Sequence, residues 1–164
     1  MSILQVCEWL EGTPVGVLVR ESMWGFQILV AIHILSLTLS VGALAWFDLR
    51  LLGVSMRRIP VSEVYRRLMP WMLTAFMAMF ITGALLLVGF ATKAYGNMYF
   101  RIKMAAMLLA AVNALTFHFS TERRIARWNE APRPPLPARL AGLASLLLWA
   151  VVIMAGRMMS YTMF

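Results

Sequence analysis

The sequence predicts an all-α integral membrane protein: a bundle of four transmembrane helices, preceded by a short amphipathic N-terminal helix. Of its residues, 62% are hydrophobic and only 13% are charged, whereas soluble domains carry about 25% charged residues. Apolar segments at about 24–47, 71–91, 102–119 and 139–163 are separated by polar connections. At 1.5 Å per residue each reaches roughly 27 Å or more, close to the thickness of a bilayer core. Residues 1–164 are therefore predicted to form a single membrane domain.

The residues before the first span predict two short helices. Residues 2–11 place apolar side chains at helical spacing, which is typical of an amphipathic helix at a membrane surface. Gly12 is expected to end this helix. Thr13 and Pro14 are suited to the N-cap and the first position of the next one.

The first span runs from Trp24 to Trp46 and contains no formal charge. Tryptophan at both ends is typical of a helix that ends at the two membrane interfaces. Near its middle lies His33, an ionisable residue that is costly inside a membrane and needs a reason to be there.

The remaining spans are interrupted by proline and turn signals. A helical segment runs from Ser62 towards Pro70, which starts or kinks the second span at Trp71. Gly96-Asn97 predicts a turn before the third span. The proline-rich residues 131–137 predict an extended linker before the fourth.

Basic residues concentrate in two connections. The connection between spans 1 and 2 contains Arg50, Arg57, Arg58, Arg66 and Arg67, and that between spans 3 and 4 contains Arg123, Arg124, Arg127, Arg133 and Arg139. The positive-inside rule predicts that both face the cytoplasm and that both termini face outward. Topology thus accounts for the net charge of +8, and no nucleic-acid partner is predicted.

Two histidines and three cations are candidate site residues: His33, His118, Arg157, Lys103 and Arg101. For His33 the structural alternative is a bond to a serine, an asparagine or a backbone carbonyl on the next helix. His118 lies near the far end of span 3, where it could instead anchor the helix at the interface. Arg157 could pair with a carboxylate of a ligand, beside Lys103 and Arg101, or extend to the surface.

Histidines on two helices of a membrane bundle suggest a b-type haem with axial imidazoles at His33 and His118, and with Arg157 and Lys103 at its propionates. Depth weakens this hypothesis. His33 lies roughly 14 Å below the outer interface and His118 roughly 26 Å, a difference of about 12 Å. Alternatively, Met79, roughly 18 Å deep, is the second ligand of the haem, and His118 belongs to a quinone site.

Motifs along nearly the whole chain carry a family resemblance: ESMW, the AIH tract with His33, DLRLLG, RIKM, NALTFH and AGRMMSY. Together they resemble a family of uncharacterised bacterial four-helix inner-membrane proteins, known as a domain of unknown function. This resemblance implies a multi-pass protein of the bacterial inner membrane. In helix count and histidines alone, the chain is also similar to small membrane b-type cytochromes and to the membrane domain of copper-resistance proteins.

The sequence-based hypothesis is a small electron-transfer subunit that binds a b-type haem, a quinone, or both, and works with a larger membrane or periplasmic complex. The main alternative is a cofactor-free accessory or anchoring subunit. The sequence contains no nucleophile–base set and no phosphate-binding loop. An enzyme acting alone is therefore not predicted. A metal transporter is disfavoured because its usual intramembrane carboxylates and broken helices are lacking in the predicted spans.

Overall fold

The computed structural model describes residues 2–121, 125 and 128–163. Seven α-helices follow one another along these residues: α1 (Ile3–Glu11), α2 (Pro14–Glu21), α3 (Gly25–Leu51), α4 (Val61–Gly89), α5 (Ala91–Gly96), α6 (Met98–Thr116) and α7 (Leu136–Met163). A π-helical turn, Phe117–Thr121, continues α6. Helices α3, α4, α6 with the start of this turn, and α7 are long and apolar enough to cross a membrane. The predicted all-helical fold with four membrane spans is confirmed.

The two N-terminal helices begin and end where the sequence predicts. Ser2 and Gln5 form a capping box at the start of α1, and Gly12 is its C-cap. Thr13 caps α2, accepting a hydrogen bond from the Gly16 amide at 3.2 Å, and Pro14 is the first helical residue.

Three boundaries differ from prediction, and each has a local cause. Helix α4 begins at Val61 and runs unbroken through Pro70, because membrane helices tolerate proline when neighbouring groups satisfy the backbone. The predicted turn before span 3 is instead the short helix α5, and Asn97 caps α6. Helix α7 starts at Leu136 because Pro137 falls in its first turn, where a proline leaves no helical hydrogen bond unmade.

The four spans pack in the order α4–α3–α7–α6. Helix α3 packs along α4 and against α7, and α7 packs along α6. Met79 of α4 belongs to the same buried cluster as Ala106 and Ala110 of α6 and Trp149 and Val152 of α7. Trp149 of α7 packs against Phe76 of α4, with the two ring centroids 5.3 Å apart.

One end of the bundle, here called the arginine-rich end, combines the end of α3, residues 52–60, the start of α4 and residues 128–135. The Val61 amide donates to the Asn129 carbonyl at 3.0 Å, and the Ser62 amide donates to the Asn129 side chain at 2.9 Å. Both arginine-rich connections thus meet at one end, as the charge pattern predicts. Arg123, Arg124 and Arg127 lie outside the described residues.

The opposite end, here called the terminal end, holds α1, α2, α5 and the last turn of α7. Glu11 accepts hydrogen bonds from the Thr92 amide at 2.8 Å and the Thr92 hydroxyl at 2.7 Å, which joins α1 to α5. Asn97 donates to the Thr162 hydroxyl at 2.8 Å. The terminal end is therefore a structured cap, in which side-chain hydrogen bonds join α1 to α5 and Asn97 to α7.

Candidate functional site

His33 lies half-buried on α3 and faces α4. Its Nδ1 atom is 3.0 Å from the Met79 carbonyl oxygen and 3.0 Å from the Thr82 hydroxyl oxygen. Gly83 leaves room for the ring, because a Cβ atom there would lie 3.1 Å from Cε1 of His33. The predicted structural alternative, a bond to a backbone carbonyl of the neighbouring helix, is thus present at one ring nitrogen.

The hydrogen-bond network assigns the tautomer of His33. The Thr82 hydroxyl donates to the Ala78 carbonyl at 2.7 Å, and the Met79 carbonyl can only accept. Both partners of Nδ1 are therefore acceptors, so Nδ1 carries the hydrogen. In the neutral ring Nε2 then has a lone pair, and it makes no hydrogen bond with the described residues.

Lys103 is a second ionisable side chain in the terminal half of the bundle. It lies half-buried on α6. Lys103 is five residues into α6 and His33 is eight residues into α3, or roughly 8 and 12 Å from the terminal end of each helix, so the two lie at similar depth. Its Cδ atom is 4.0 Å from the position of a Cβ atom on Gly156 of α7. Among the described residues, the ion pairs involve Arg20, Arg66 and Arg67. Lys103 thus brings a positive charge into the bundle without a carboxylate partner.

The two arginines predicted for this site lie at its rim. Arg101 is exposed; it donates to the Tyr95 carbonyl at 3.3 Å, and its guanidinium group lies 5.7 Å from the centre of the Tyr95 ring. Arg157 is also exposed, and it donates to the Tyr161 hydroxyl at 2.8 Å. Both arginines contact aromatic residues near the terminal end, and the structure does not bring either of them to His33.

His118 lies far from His33. It is exposed in the π-helical turn, with its ring centroid 5.2 Å from that of Phe119. It follows Lys103 by 15 residues on a continuous helical segment, which corresponds to roughly 22 Å along the axis. The structure therefore does not bring the two histidines together.

Met79, the alternative second ligand, also points elsewhere. Its sulfur atom lies 4.0 Å from the hydroxyl of Ser40, which is fully buried. Ser40 is seven residues beyond His33 on α3, or about 10 Å along the axis. An imidazole and a thioether that bind the same iron have to be much closer together than this separation of about 10 Å.

Sequence reasoning missed several polar residues. Thr82 and Gly83 position His33, and at the other end of the bundle Asp48, Arg50 and Ser145 are buried. Thr82 and Ser145 could have been identified from the sequence, because each is a polar residue within an apolar span. Asp48 and Arg50 gave no such signal because they lie at the boundary of the first span, where charged residues are ordinary.

Comparison with known proteins gives a family match without an activity. The model of a family of unknown function (DUF6644) matches residues 7–162. No curated protein and no solved structure matches the chain. The function has to be inferred from the side chains themselves.

Proposed function

The chain belongs to the family of unknown function DUF6644, and we propose from its geometry that it is a small membrane electron-transfer subunit that binds a quinone between His33 and Lys103. The observation that carries this proposal is the pair of half-buried ionisable side chains, His33 and Lys103, among the mostly apolar spans of this half of the bundle. Nε2 of His33 is an acceptor, and Lys103, at a similar depth on α6, is a donor. Polar residues at such depth mark binding sites or pathways by default.

A quinone has the shape and polarity to bind between these two side chains, and it is soluble in the membrane. Its ring is flat and apolar, with one oxygen on each of two opposite edges. Lys103 donates to one oxygen, and Nε2 of His33 accepts from the opposite hydroxyl of the reduced form. Apolar pockets with a few converging polar groups are the usual form of small-molecule sites. The isoprenoid tail of a quinone would remain among the apolar side chains and the lipid.

A b-type haem is the second candidate. A histidine that donates from Nδ1 to a backbone carbonyl and keeps Nε2 available has the arrangement of a metal-bound imidazole. Lys103 could then meet a propionate. Neither of the second axial ligands predicted from the sequence, His118 and the Met79 sulfur, lies near His33. A haem would therefore be held by His33 without either of these two predicted partners.

An electron-transfer subunit needs a redox partner, and the proposal includes one. The chain would exchange electrons between the quinone and a protein of a larger membrane or periplasmic complex. On the positive-inside rule, and with the family resemblance described above, its membrane would be the bacterial inner membrane with the arginine-rich end in the cytoplasm. The competing proposal is a cofactor-free accessory subunit, in which the His33–Met79 bond only joins α3 to α4.

One purification tests these proposals. The protein is isolated in mild detergent, its quinone content is measured after organic extraction, and a reduced-minus-oxidised visible spectrum is recorded. His33→Ala is compared with His118→Ala, and Lys103→Met with Lys93→Met; in each pair the second variant removes a like group outside the site.

The quinone proposal expects bound quinone in the wild type, in His118→Ala and in Lys93→Met, with a loss of tenfold or more in the other two. A haem band lost with His33→Ala alone would replace the quinone by a haem. Wild-type protein with neither quinone nor a haem band, even after incubation with a short-chain quinol, would support the accessory subunit instead.

A further inference from the structure

A second buried polar site lies at the arginine-rich end, away from His33. Asp48 of α3 is 3% exposed and Ser145 of α7 is 8% exposed. The helices cross closely here because α7 carries Gly142, where a Cβ atom would lie 3.1 Å from the Asp48 carbonyl oxygen and 3.2 Å from Cβ of Leu51. The Asp48 carboxyl group is therefore enclosed at the crossing of two membrane spans.

The hydrogen bonds of this carboxyl group are incomplete. Ser145 forms a side-chain hydrogen bond with Asp48, but the Oδ2 atom of Asp48 is buried without a hydrogen-bond partner. None of the ion pairs among the described residues includes Asp48. A carboxyl group that is almost fully enclosed thus has one neutral partner and no cation.

Arg50, although two residues away, does not supply that cation. Residues i and i+2 of a helix do not face each other. The Arg50 guanidinium group donates to the Ile59 carbonyl at 2.8 Å and to the Ala131 carbonyl at 3.2 Å, on the loop side of α3. Its own Nη1 atom is also buried without a partner, which shows that the two residues do not satisfy each other.

Among the described residues, the other charged and titratable groups on the surrounding elements do not reach Asp48 either. On α4, Glu63 pairs with Arg66 and Arg67 at the surface, and Tyr65 packs against Phe47. On α7, Arg139 is exposed, and so is His118 on the π-helical turn. Among these groups none forms a hydrogen bond or an ion pair with Asp48.

We propose that Asp48 and Ser145 form a proton-binding site, in which the Asp48 carboxyl group takes up and releases one proton. An unpaired carboxylate inside a membrane protein is far more costly than a buried neutral carboxyl group. A metal ion would need more ligands than Asp48 and Ser145, and the described residues contain no group of three or more metal-binding side chains. Asp48 lies three residues before the end of α3, which gives the proton a short route to water.

Infrared spectroscopy of the whole protein in lipid vesicles tests this proposal without reference to any cofactor. The wild type should show a carboxylic-acid C=O band that shifts to lower frequency in D₂O and disappears as the pH is raised. Asp48→Asn should lose this band. Glu63→Gln, which removes a carboxyl group at the same end, should keep it.

Ser145→Ala supplies a second readout if Asp48→Asn does not fold. Loss of the Ser145 hydrogen bond should shift the band to higher frequency without abolishing it. The proposal is overturned if the wild type lacks the band at every pH at which it is folded, or if the band is unchanged in both Asp48→Asn and Ser145→Ala. A carboxylate signal that responds to sodium or potassium and not to pH would show a cation site instead.

Discussion

A Cβ atom on Gly83 would lie 3.1 Å from Cε1 and 3.6 Å from Nδ1 of His33, so the imidazole rests directly on the backbone of the neighbouring span. This contact holds the ring in line with the Met79 carbonyl and the Thr82 hydroxyl. The position of the proposed ligand group is therefore set by three residues within about one turn of α4 and not by α3 alone.

Gly83→Ala should displace His33 and weaken the site. The new methyl group has to push the ring by a few tenths of an ångström, at a cost of about 1–3 kcal/mol for overpacking. Alanine gains about 1 kcal/mol in helix propensity, so a net loss of up to about 2 kcal/mol in stability is expected. Thermal unfolding in detergent and quinone content measure the two consequences.

Gly42→Ala is the matched control, because a Cβ atom on Gly42 meets no heavy atom within 4 Å. It keeps the gain in helix propensity and avoids the clash. Its melting temperature should equal or exceed that of the wild type. If the two alanine variants behave alike, the close packing between His33 and α4 is not what positions the ring.

Thr82→Val should weaken quinone binding modestly. Valine has nearly the same shape but removes the hydroxyl 3.0 Å from Nδ1 of His33, and one hydrogen bond is worth about 0.5–1.5 kcal/mol. The expected loss of affinity is roughly 2- to 10-fold, because the Met79 carbonyl still holds the ring. Titration with a short-chain quinol measures it.

Thr74→Val serves as the control on the same helix. The Thr74 hydroxyl is exposed and donates only to carbonyls of its own turn, at Pro70 and Trp71. Quinol affinity in this variant should match the wild type. Equal losses in both threonine variants would assign the effect to α4 as a whole.

The sequence predicts the spans well because hydropathy is a property of each segment alone. Trp24 and Trp46 bracket α3, which extends only a few residues further, and the alternation of arginine content between connections places both loops at one end. Helix α4 is the exception: Pro70 gives a strong local break signal, and the tertiary structure overrides it.

Partners across helices could not be predicted in the same way. His33 is detectable as an ionisable residue in an apolar window, but Thr82 and Gly83 become its partners only through the register and rotation of α4 on α3. Arg50 counts as a loop cation in the sequence and is fully buried in the structure. The difference arises because backbone carbonyls of two distant loops fold back onto its guanidinium group.

Arg50→Met should destabilise the arginine-rich end strongly. The guanidinium group joins α3 to residue 59 and to residue 131 through two carbonyl groups that would lose their donor. Hydrogen bonds to a charged group are worth about 1.5–3 kcal/mol each, and removal of the desolvation cost of the buried guanidinium group offsets part of this, so a loss of roughly 2–4 kcal/mol is expected. Arg50→Lys should rescue only part of it, because a lysine lacks the planar fork that reaches both carbonyls.

Arg58→Met removes an exposed arginine from the same connection and should change the unfolding temperature little. Hydrogen exchange locates the effect of Arg50→Met, which should appear in residues 52–60 and 128–135. An unfolding temperature that Arg50→Met leaves unchanged would contradict a structural role for these two bonds.

Glu11→Ala should release α1 from the terminal end without disturbing the spans. The Glu11 carboxylate accepts from both the amide and the hydroxyl of Thr92, and it is the side chain that links α1 to α5 through hydrogen bonds among the described residues. Faster hydrogen exchange in residues 3–11 and at Thr92 is the expected result, with α3 and α4 unaffected. Glu8→Ala, an exposed carboxylate on the same helix, should leave both exchange rates unchanged. If exchange accelerates equally in the two variants, general loss of negative charge on α1 is the cause, and the bond to Thr92 does not hold this helix in place.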